Sequence, residues 1–187
     1  MNTAFNLSKL TSSKIYDMVR STDSSCPNRM EHEQQSSINN IKSFFKPASK
    51  ILPGIYLGSA YNAAWDDSFD VVVNCAAEVP IFHFDNRKTI HYQLRDSLEE
   101  KPILSEASMV IRQLNEIIKQ NNNATILFHC FAGRSRSAFM LAFYLLKQEP
   151  KLKVERVYDM IVKERPCVAM NRNFYDTLLN FQRITTD

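Results

Sequence analysis

A cysteine, a glycine, an arginine and a serine lie in the short segment H-C-F-A-G-R-S-R-S, between two strongly apolar stretches of the sequence. Cys130 directly follows the stretch T-I-L-F-H, and Arg136 and Ser137 directly precede the stretch A-F-M-L-A-F-Y-L-L. The first stretch predicts a buried strand, and the second predicts a helix that is apolar nearly all round. The segment therefore predicts a short loop that leads from a strand into the start of a helix and carries a thiol.

The predicted loop has the properties of an anion site. Backbone N–H groups converge in such a loop, and the start of the helix adds the positive end of its dipole. Gly133 lets the loop curl without a clash at Cβ, and the planar guanidinium of Arg136 can hold two oxygens of a phosphate. Arg134 is a second cation that either contacts the substrate or faces solvent. We predict that phosphate contacts the loop residues Phe131, Ala132, Gly133, Arg134 and Ser135.

The same features favour the ionised form of the thiol, because a helix N-terminus and nearby cations lower the pKa of a cysteine. A thiolate inside an anion site can attack phosphorus in line and form a phosphocysteine intermediate. Ser137 follows Arg136 directly, where its hydroxyl can stabilise the Cys130 thiolate as it leaves. His129 is predicted to order the loop by hydrogen bonding, and neither a base nor a metal role is assigned to it.

The leaving group of such a reaction needs a proton, which a carboxylic acid on another loop can supply. Asp96 is the candidate, because it follows the predicted strand Thr89–Leu94 at its carboxyl end, where α/β sheets place their active-site loops. Asp85, Glu99 and Glu100 are competing carboxylates in the same region. A lone aspartate after a strand is often only a turn residue, so the assignment depends on the cysteine loop as well.

Strand and helix patterns alternate along the rest of the chain, and a helical segment ends it. This order predicts an α/β fold with a central, mainly parallel sheet flanked by helices. Residues 51–59 read as a strand with a Pro-Gly turn. Further strands are predicted at 70–75, 89–94 and 125–129, and helices at 60–65, 105–120, 137–147, 154–164 and 173–184.

Composition divides the 187 residues into two parts. Residues 1–46 are rich in Ser, Asn, Gln and Lys and predict an N-terminal extension, with a short helix near 12–20, whereas 47–187 predict the catalytic domain. No dense basic run indicates nucleic-acid binding, no paired cysteines indicate a metal site, and no cofactor is expected. Neither a signal peptide nor a long apolar span is recognisable, so the predicted location is cytoplasm or nucleus, away from membranes.

The loop resembles the signature H-C-x-x-G-x-x-R-[ST] of the cysteine-based dual-specificity protein phosphatases, a family within the protein tyrosine phosphatase superfamily. All of its fixed positions are filled, by His129, Cys130, Gly133, Arg136 and Ser137. The segment I-L-P-G-I-Y-L-G-S resembles the entry strand of the family, and L-R-D-S resembles the segment that supplies its general acid. R-P-C-V-A-M-N-R-N-F resembles the segment before its last helix, with Asn171 and Phe174 in place.

This resemblance implies a signalling hydrolase that dephosphorylates phosphotyrosine and phosphoserine or phosphothreonine in proteins without a metal. It assigns the general acid to Asp96 and a supporting position to Asn171. Two alternatives stay open. The domain could bind phosphorylated partners with little turnover, or it could act on phosphoinositides or RNA 5′ phosphates, as other superfamily members do.

Two further resemblances concern residues outside the loop. V-V-N-C-A-A-E is similar to a segment of a lipid phosphatase of the same superfamily, in which a cysteine forms a reversible disulfide with the catalytic one. It implies that Cys75 is a redox partner of Cys130; the alternative is a buried apolar cysteine. The extension loosely resembles the N-terminal helix of a poxvirus member, which is exchanged between subunits, and this implies a homodimer.

Overall fold

The computed structural model describes residues 41–95, 97 and 99–186. The predicted helix near 12–20, and with it the predicted dimer contact, lies outside the described residues. Asp96 also lies outside them.

Within the described residues, five strands form one sheet in the order β1-β2-β5-β3-β4. Their bounds are Ser49–Leu52, Ile55–Ser59, Val71–Asn74, Lys88–His91 and Ile126–Cys130 for β1 to β5. Only β1 is antiparallel to its neighbour; β2, β5, β3 and β4 run parallel. The predicted α/β class with a mainly parallel sheet is confirmed.

Helices cover the sheet on both faces. Their bounds are Ala60–Trp65, Leu104–Gln120, Arg136–Gln148, Val154–Glu164 and Arg172–Thr186 for α1 to α5. Side chains along β3 and β5 alternate between the two faces, as the twofold period of a strand requires. Val73 and Phe128 face the larger core, whereas Val72 and Leu127 face a smaller cluster with Ala63 of α1.

The central helix α3 is buried along nearly its whole length, from Arg136 to Leu146. It packs against β5 and β2 and against α4 and α5. An apolar surface on all sides is what the sequence predicts for a helix with neighbours on all sides. Because β5 and α3 are both buried, their positions fix the two ends of the loop that joins them.

Two predicted strands differ from the structure by more than one residue at an end. The single strand predicted at residues 51–59 is a hairpin of β1 and β2, in which Gly54 takes a φ of 75°. The strand predicted to reach Leu94 ends at His91. The carbonyl of Leu94 instead accepts hydrogen bonds from the N–H of Ala77 at 3.0 Å and from Arg136 Nη1 at 3.3 Å. Because the N–H of Ala77 and the guanidinium of Arg136 bind the Leu94 carbonyl, the chain does not continue as a strand of the sheet beyond His91.

Residues 41–44, just before the predicted boundary at residue 47, form a helical turn that packs on the domain. Phe44 is buried, and its ring lies 5.1 Å from that of Phe131. The Phe44 carbonyl accepts a hydrogen bond from Ser59 Oγ at 2.6 Å. The boundary stays a prediction, but these contacts lead us to propose that the catalytic unit extends back at least to residue 41.

Candidate active site

The thiol of Cys130 lies at the carboxyl end of the parallel strands. In the sheet register Cys130 is opposite Ser59 of β2, and His129 is opposite Asn74 of β3. β5 is therefore flanked on both sides by the ends of parallel strands, which is where α/β sheets form binding crevices. Residues 131–135 leave this edge and lead into α3, as predicted.

Gly133 is required by the path of this loop. Its φ is +67°, a conformation that residues with a side chain rarely adopt. A Cβ at this position would lie 2.3 Å from the carbonyl oxygen of Gly58. Both backbone conformation and space therefore exclude any other residue, because the loop crosses directly over the end of β2.

Arg165 holds the loop in place; the segment that it begins was singled out in the sequence, but no role was predicted for this residue. Its side chain is buried, and Nε donates a hydrogen bond to the carbonyl of Gly133 at 2.8 Å. Its Nη2 reaches the carbonyls of Ala132 at 3.4 Å and Ser43 at 3.3 Å, and Nη1 reaches that of Pro47 at 3.0 Å. One guanidinium thus joins the phosphate loop to the segment before β1. The sequence shows only an arginine before a proline, with no sign of these acceptors.

The Cys130 thiol is 3% exposed and lies in a field that favours its ionised form. Burial opposes ionisation, but the charge of Arg136 and hydrogen bonds from the Ser137 hydroxyl and from the N–H groups of Ser137 and Arg134 outweigh it. The pKa of Cys130 therefore lies below the ordinary value for a cysteine. Ser137 Oγ donates to the sulfur at 3.3 Å, which is the contact that a leaving thiolate would use.

Arg136 reaches the site from the first residue of α3 and is 1% exposed. Its Nη1 forms an ion pair with Oε2 of Glu78 at 2.6 Å and also donates to the Leu94 carbonyl at 3.3 Å. The Glu78 side chain is 50% exposed, so the pair joins a buried cation to a carboxylate at the surface. Glu78 had no predicted role. Its position a few residues beyond the carboxyl end of β3 was the sequence feature that could have indicated a role in the site.

His129 is buried and neutral at physiological pH. Burial lowers the pKa of its imidazole to about 3, against a small opposing effect of the hydrogen bond to the Cys130 backbone. Nδ1 lies 3.3 Å from the Cys130 carbonyl oxygen, which can only accept, so the tautomer with a proton on Nδ1 fits. The role of His129 in ordering the loop stays a prediction, and this hydrogen bond to the Cys130 backbone is the contact that supports it.

Asn171 connects the phosphate loop to the segment of the predicted general acid. Its N–H donates to Ser135 Oγ at 2.9 Å, and its Nδ2 donates to the carbonyl of Ser97 at 2.8 Å. On the other side of Asp96, the Leu94 carbonyl is bound to Arg136. The chain is thus anchored to the site on both sides of Asp96. Of the competing carboxylates, Glu100 accepts a hydrogen bond from the N–H of Arg95 at 3.3 Å.

The thiol of Cys75 is fully buried one strand away from that of Cys130. Cys75 directly follows β3, and its N–H donates a hydrogen bond to the His129 carbonyl at 2.8 Å. Because Cys130 directly follows His129 on β5, the two cysteines lie at neighbouring strand ends. Burial raises the pKa of Cys75 well above its usual range. The adjacent Cys130 adds to this, and Arg136 opposes it. The two thiols are close enough for their charges to interact.

Comparison with known proteins identifies the family of this chain. Residues 55–184 match the family "Dual specificity phosphatase, catalytic domain". The chain therefore belongs to the dual-specificity phosphatases of the protein tyrosine phosphatase superfamily, as its loop signature suggested.

Curated relatives include the human "Dual specificity protein phosphatase 1", which is 28% identical over 97% of this chain and 46% of its own length. The chicken (Gallus gallus) "Dual specificity protein phosphatase 4" is 31% identical over 71% of this chain and 36% of its own length. The chain thus spans less than half the length of these relatives.

Solved structures share the fold. Human DUSP28 superposes with a TM-score of 0.67 at 19% identity, covering 76% of this chain and 97% of that one. DUSP15 gives a TM-score of 0.65 at 24% identity, covering 73% and 87%. In the described ranges, no helix combines the length and apolarity needed to span a membrane.

Proposed function

We propose that this phosphatase hydrolyses phosphotyrosine and phosphoserine or phosphothreonine in proteins through a phosphocysteine intermediate at Cys130. The observation that carries the proposal is the buried Cys130 thiol, with a lowered pKa, beside the buried guanidinium of Arg136. A thiolate kept ionised beside a cation and converging N–H groups suits attack on a phosphate monoester.

The proposed reaction has two steps. The Cys130 thiolate attacks phosphorus, the bond from phosphorus to the substrate oxygen breaks, and that oxygen takes a proton from Asp96. Water then attacks the phosphocysteine and gives a proton to Asp96, and the S–P bond breaks as inorganic phosphate forms. The Ser137 hydroxyl, 3.3 Å from the sulfur, stabilises the leaving thiolate.

One peptide prepared with phosphotyrosine, phosphothreonine or phosphoserine at the same position tests this function. We expect the wild type to release phosphate from all three. The Asp96→Asn variant should lose about 100-fold in kcat on these peptides, because their leaving oxygens are strongly basic and need the proton. It should lose much less on p-nitrophenyl phosphate, whose leaving group is weakly basic.

This dependence on the leaving group separates an acid from a residue that only supports the fold. An equal loss on all substrates would reject the role of Asp96. Release from phosphotyrosine alone would reject dual specificity. Glu99→Gln, a change of the same chemistry on the same segment, is the matched control.

Phosphorylated proteins are the proposed partners, and both the homodimer and the cytoplasmic or nuclear location stay predictions.

We also propose that Cys75 protects Cys130 from irreversible oxidation. Peroxide converts the Cys130 thiolate to a sulfenic acid, and the Cys75 sulfur then attacks the Cys130 sulfur. A disulfide forms, the Cys75 proton leaves, and water is released. Burial of both thiols at the ends of adjacent strands supports this pairing: Cys130 ends β5, and Cys75 directly follows β3.

After peroxide treatment, dithiothreitol should restore the activity of the wild type but not that of Cys75→Ser, whose Cys130 would be over-oxidised. Cys167→Ser is the control, because Cys167 is also a free cysteine but is partly exposed. Mass mapping should find Cys75 joined to Cys130. Recovery of Cys75→Ser to the level of the wild type would overturn the proposal.

A further inference from the structure

Three aromatic side chains, those of Phe45, Tyr61 and Trp65, form one exposed surface, which we call the aromatic surface. Trp65, the last residue of α1, is 75% exposed, and Phe45 is 42% exposed. The ring of Tyr61 lies between them, with its centre 5.3 Å from that of Phe45 and 6.3 Å from that of Trp65. Phe45 precedes residue 55, where the family match begins, so part of this surface comes from outside the matched domain. Contiguous exposed aromatic rings mark a surface that binds a partner.

The aromatic surface is continuous with the phosphate loop through Phe44 and Phe131. The ring centre of the buried Phe44 lies 5.1 Å from that of Phe131, the first loop residue after the nucleophile. The same ring lies 5.9 Å from Tyr61 and 5.1 Å from Phe45. The N–H of Ala60, at the start of α1, also donates to the carbonyl of Phe131 at 3.0 Å. A chain bound at the phosphate loop therefore has the aromatic surface beside it.

Hydrogen bonds from α1 and its N-cap hold Phe45 in place from both sides. Ser59 Oγ donates to the carbonyl of Phe44 at 2.6 Å, and Asn62 Nδ2 donates to the carbonyl of Lys46 at 3.0 Å. The backbone on either side of Phe45 is thus tied to the helix that carries the other two rings of the surface. Because the rings are already in position, a ligand that binds them loses little free energy in ordering them.

We infer that the aromatic surface binds a large apolar side chain of the substrate protein, three to five residues away from the residue that Cys130 dephosphorylates. The inference rests on the proposed function. Successive ring centres place Phe45 within about 10 Å of Phe131, and Trp65 within about 17 Å. An extended peptide covers these distances in about three and about five residues. Continuity with the phosphate loop favours a side chain of the substrate over a lipid or a second copy of the chain, because the substrate is already held there.

Phosphotyrosine peptides that carry either Phe or Gln three, four or five residues before or after the phosphotyrosine test the inference. We expect kcat/KM of the wild type to be about tenfold higher for the Phe than for the Gln peptide at one or more of these positions, because the ring is buried against other rings. Trp65→Ala and Phe45→Ala should each lower this ratio about threefold or more. The ratio compares two peptides on one variant, so a general loss of activity does not affect it.

Ile184→Ala is the matched control. Ile184 is 80% exposed near the carboxyl end of α5, whereas Asn171, just before the other end of that helix, contacts Ser135 of the phosphate loop. The variant removes an exposed apolar side chain far from the aromatic surface, so it should keep the ratio of the wild type. If Ile184→Ala lowered the ratio as much as Trp65→Ala, the preference would not come from the aromatic surface, and the inference would be wrong.

Trp65 is the single tryptophan of the chain, so its fluorescence reports directly on the aromatic surface. In Cys130→Ser, the preferred Phe peptide should shift the emission to shorter wavelength and protect Trp65 from quenching by acrylamide. The matching Gln peptide should do neither. Adding Phe45→Ala keeps the reporter and should weaken the effect of the Phe peptide.

Equal kcat/KM for the Phe and Gln peptides at every position would overturn the inference but leave the proposed function intact. If no peptide is hydrolysed, the proposed function fails, and the fluorescence of Cys130→Ser decides the inference. An emission shift with vesicles of phosphatidylcholine and phosphatidylserine, and none with the Phe peptide, would assign the surface to a membrane and overturn the inference. Resistance of Trp65 to acrylamide in the free protein would also overturn it, because another part of this chain or a second copy would then cover the surface.

Discussion

Replacing Cys130 with serine is expected to lower phosphate release from phosphopeptides and from p-nitrophenyl phosphate by more than about 1,000-fold. The physical reason is the ionisation of the nucleophile. Arg136, Ser137 and the loop N–H groups outweigh the effect of burial and lower the pKa of Cys130, which favours the thiolate. A serine hydroxyl ionises far less readily, and the same surroundings cannot make it an alkoxide at neutral pH.

The pKa of Cys130 gives this prediction a second measurement. Because the pKa of Cys130 lies below the ordinary cysteine value, the rate of alkylation by iodoacetamide should rise with pH with a midpoint below that of a free cysteine measured alongside. The Cys26→Ser/Cys167→Ser background leaves two of the four cysteines, Cys130 and the buried Cys75, whose pKa is raised, so that the signal reports Cys130. Phosphate should protect the thiol from alkylation, because both occupy the same loop.

Two results would contradict this account. An alkylation midpoint at or above that of a free cysteine would mean that burial of the thiol outweighs the effect of Arg136 and the hydrogen bonds. Turnover by Cys130→Ser equal to that of the wild type would reject the enzyme and favour a module that binds phosphorylated partners. Circular dichroism and the melting temperature of Cys130→Ser should match the wild type, since the two side chains differ by one atom.

Much of the catalytic loop could be predicted because its chemistry lies in consecutive residues. Cys130, Gly133, Arg136 and Ser137 follow one another between two apolar elements, so local sequence shows the strand, the turn and the helix start. The apolar surface of α3 also predicted its central place, and α4 was predicted with its observed bounds, Val154–Glu164. Periodicity is informative wherever an element is buried on a defined face.

The supporting residues could not be predicted in this way, since their partners are distant along the chain. Glu78 pairs with Arg136 over a separation of 58 residues, and Arg165 reaches Gly133 over 32. Side-chain types do not say which distant carbonyl or guanidinium they will meet. Residues 41–46 were assigned to the N-terminal extension, because Phe44 is a single aromatic whose packing on Phe131 has no sequence signature.

The planar, two-pronged guanidinium of Arg136 should matter for catalysis as much as its charge. Arg136→Lys is expected to lower kcat/KM by about 100- to 1,000-fold, because one ammonium cannot hold two equatorial oxygens as the transferring phosphoryl group flattens. The lysine keeps a positive charge opposite Glu78, so the melting temperature should change little. Arg172→Lys is the matched control, since Arg172 is 91% exposed on α5 and pairs only loosely, at 3.7 Å, with Asp176.

Glu78→Gln separates the charge of the guanidinium from its geometry. Glutamine keeps an oxygen that can accept from Nη1, so the fork stays oriented, but the carboxylate no longer offsets the charge of Arg136 near the thiol. The midpoint of Cys130 alkylation should therefore move to lower pH, while kcat/KM changes by less than about tenfold. Arg136→Lys should keep the midpoint near that of the wild type and lose turnover. If both variants lost turnover equally with no shift of the midpoint, Glu78 would serve only to hold the arginine, and its charge would play no part in tuning the nucleophile.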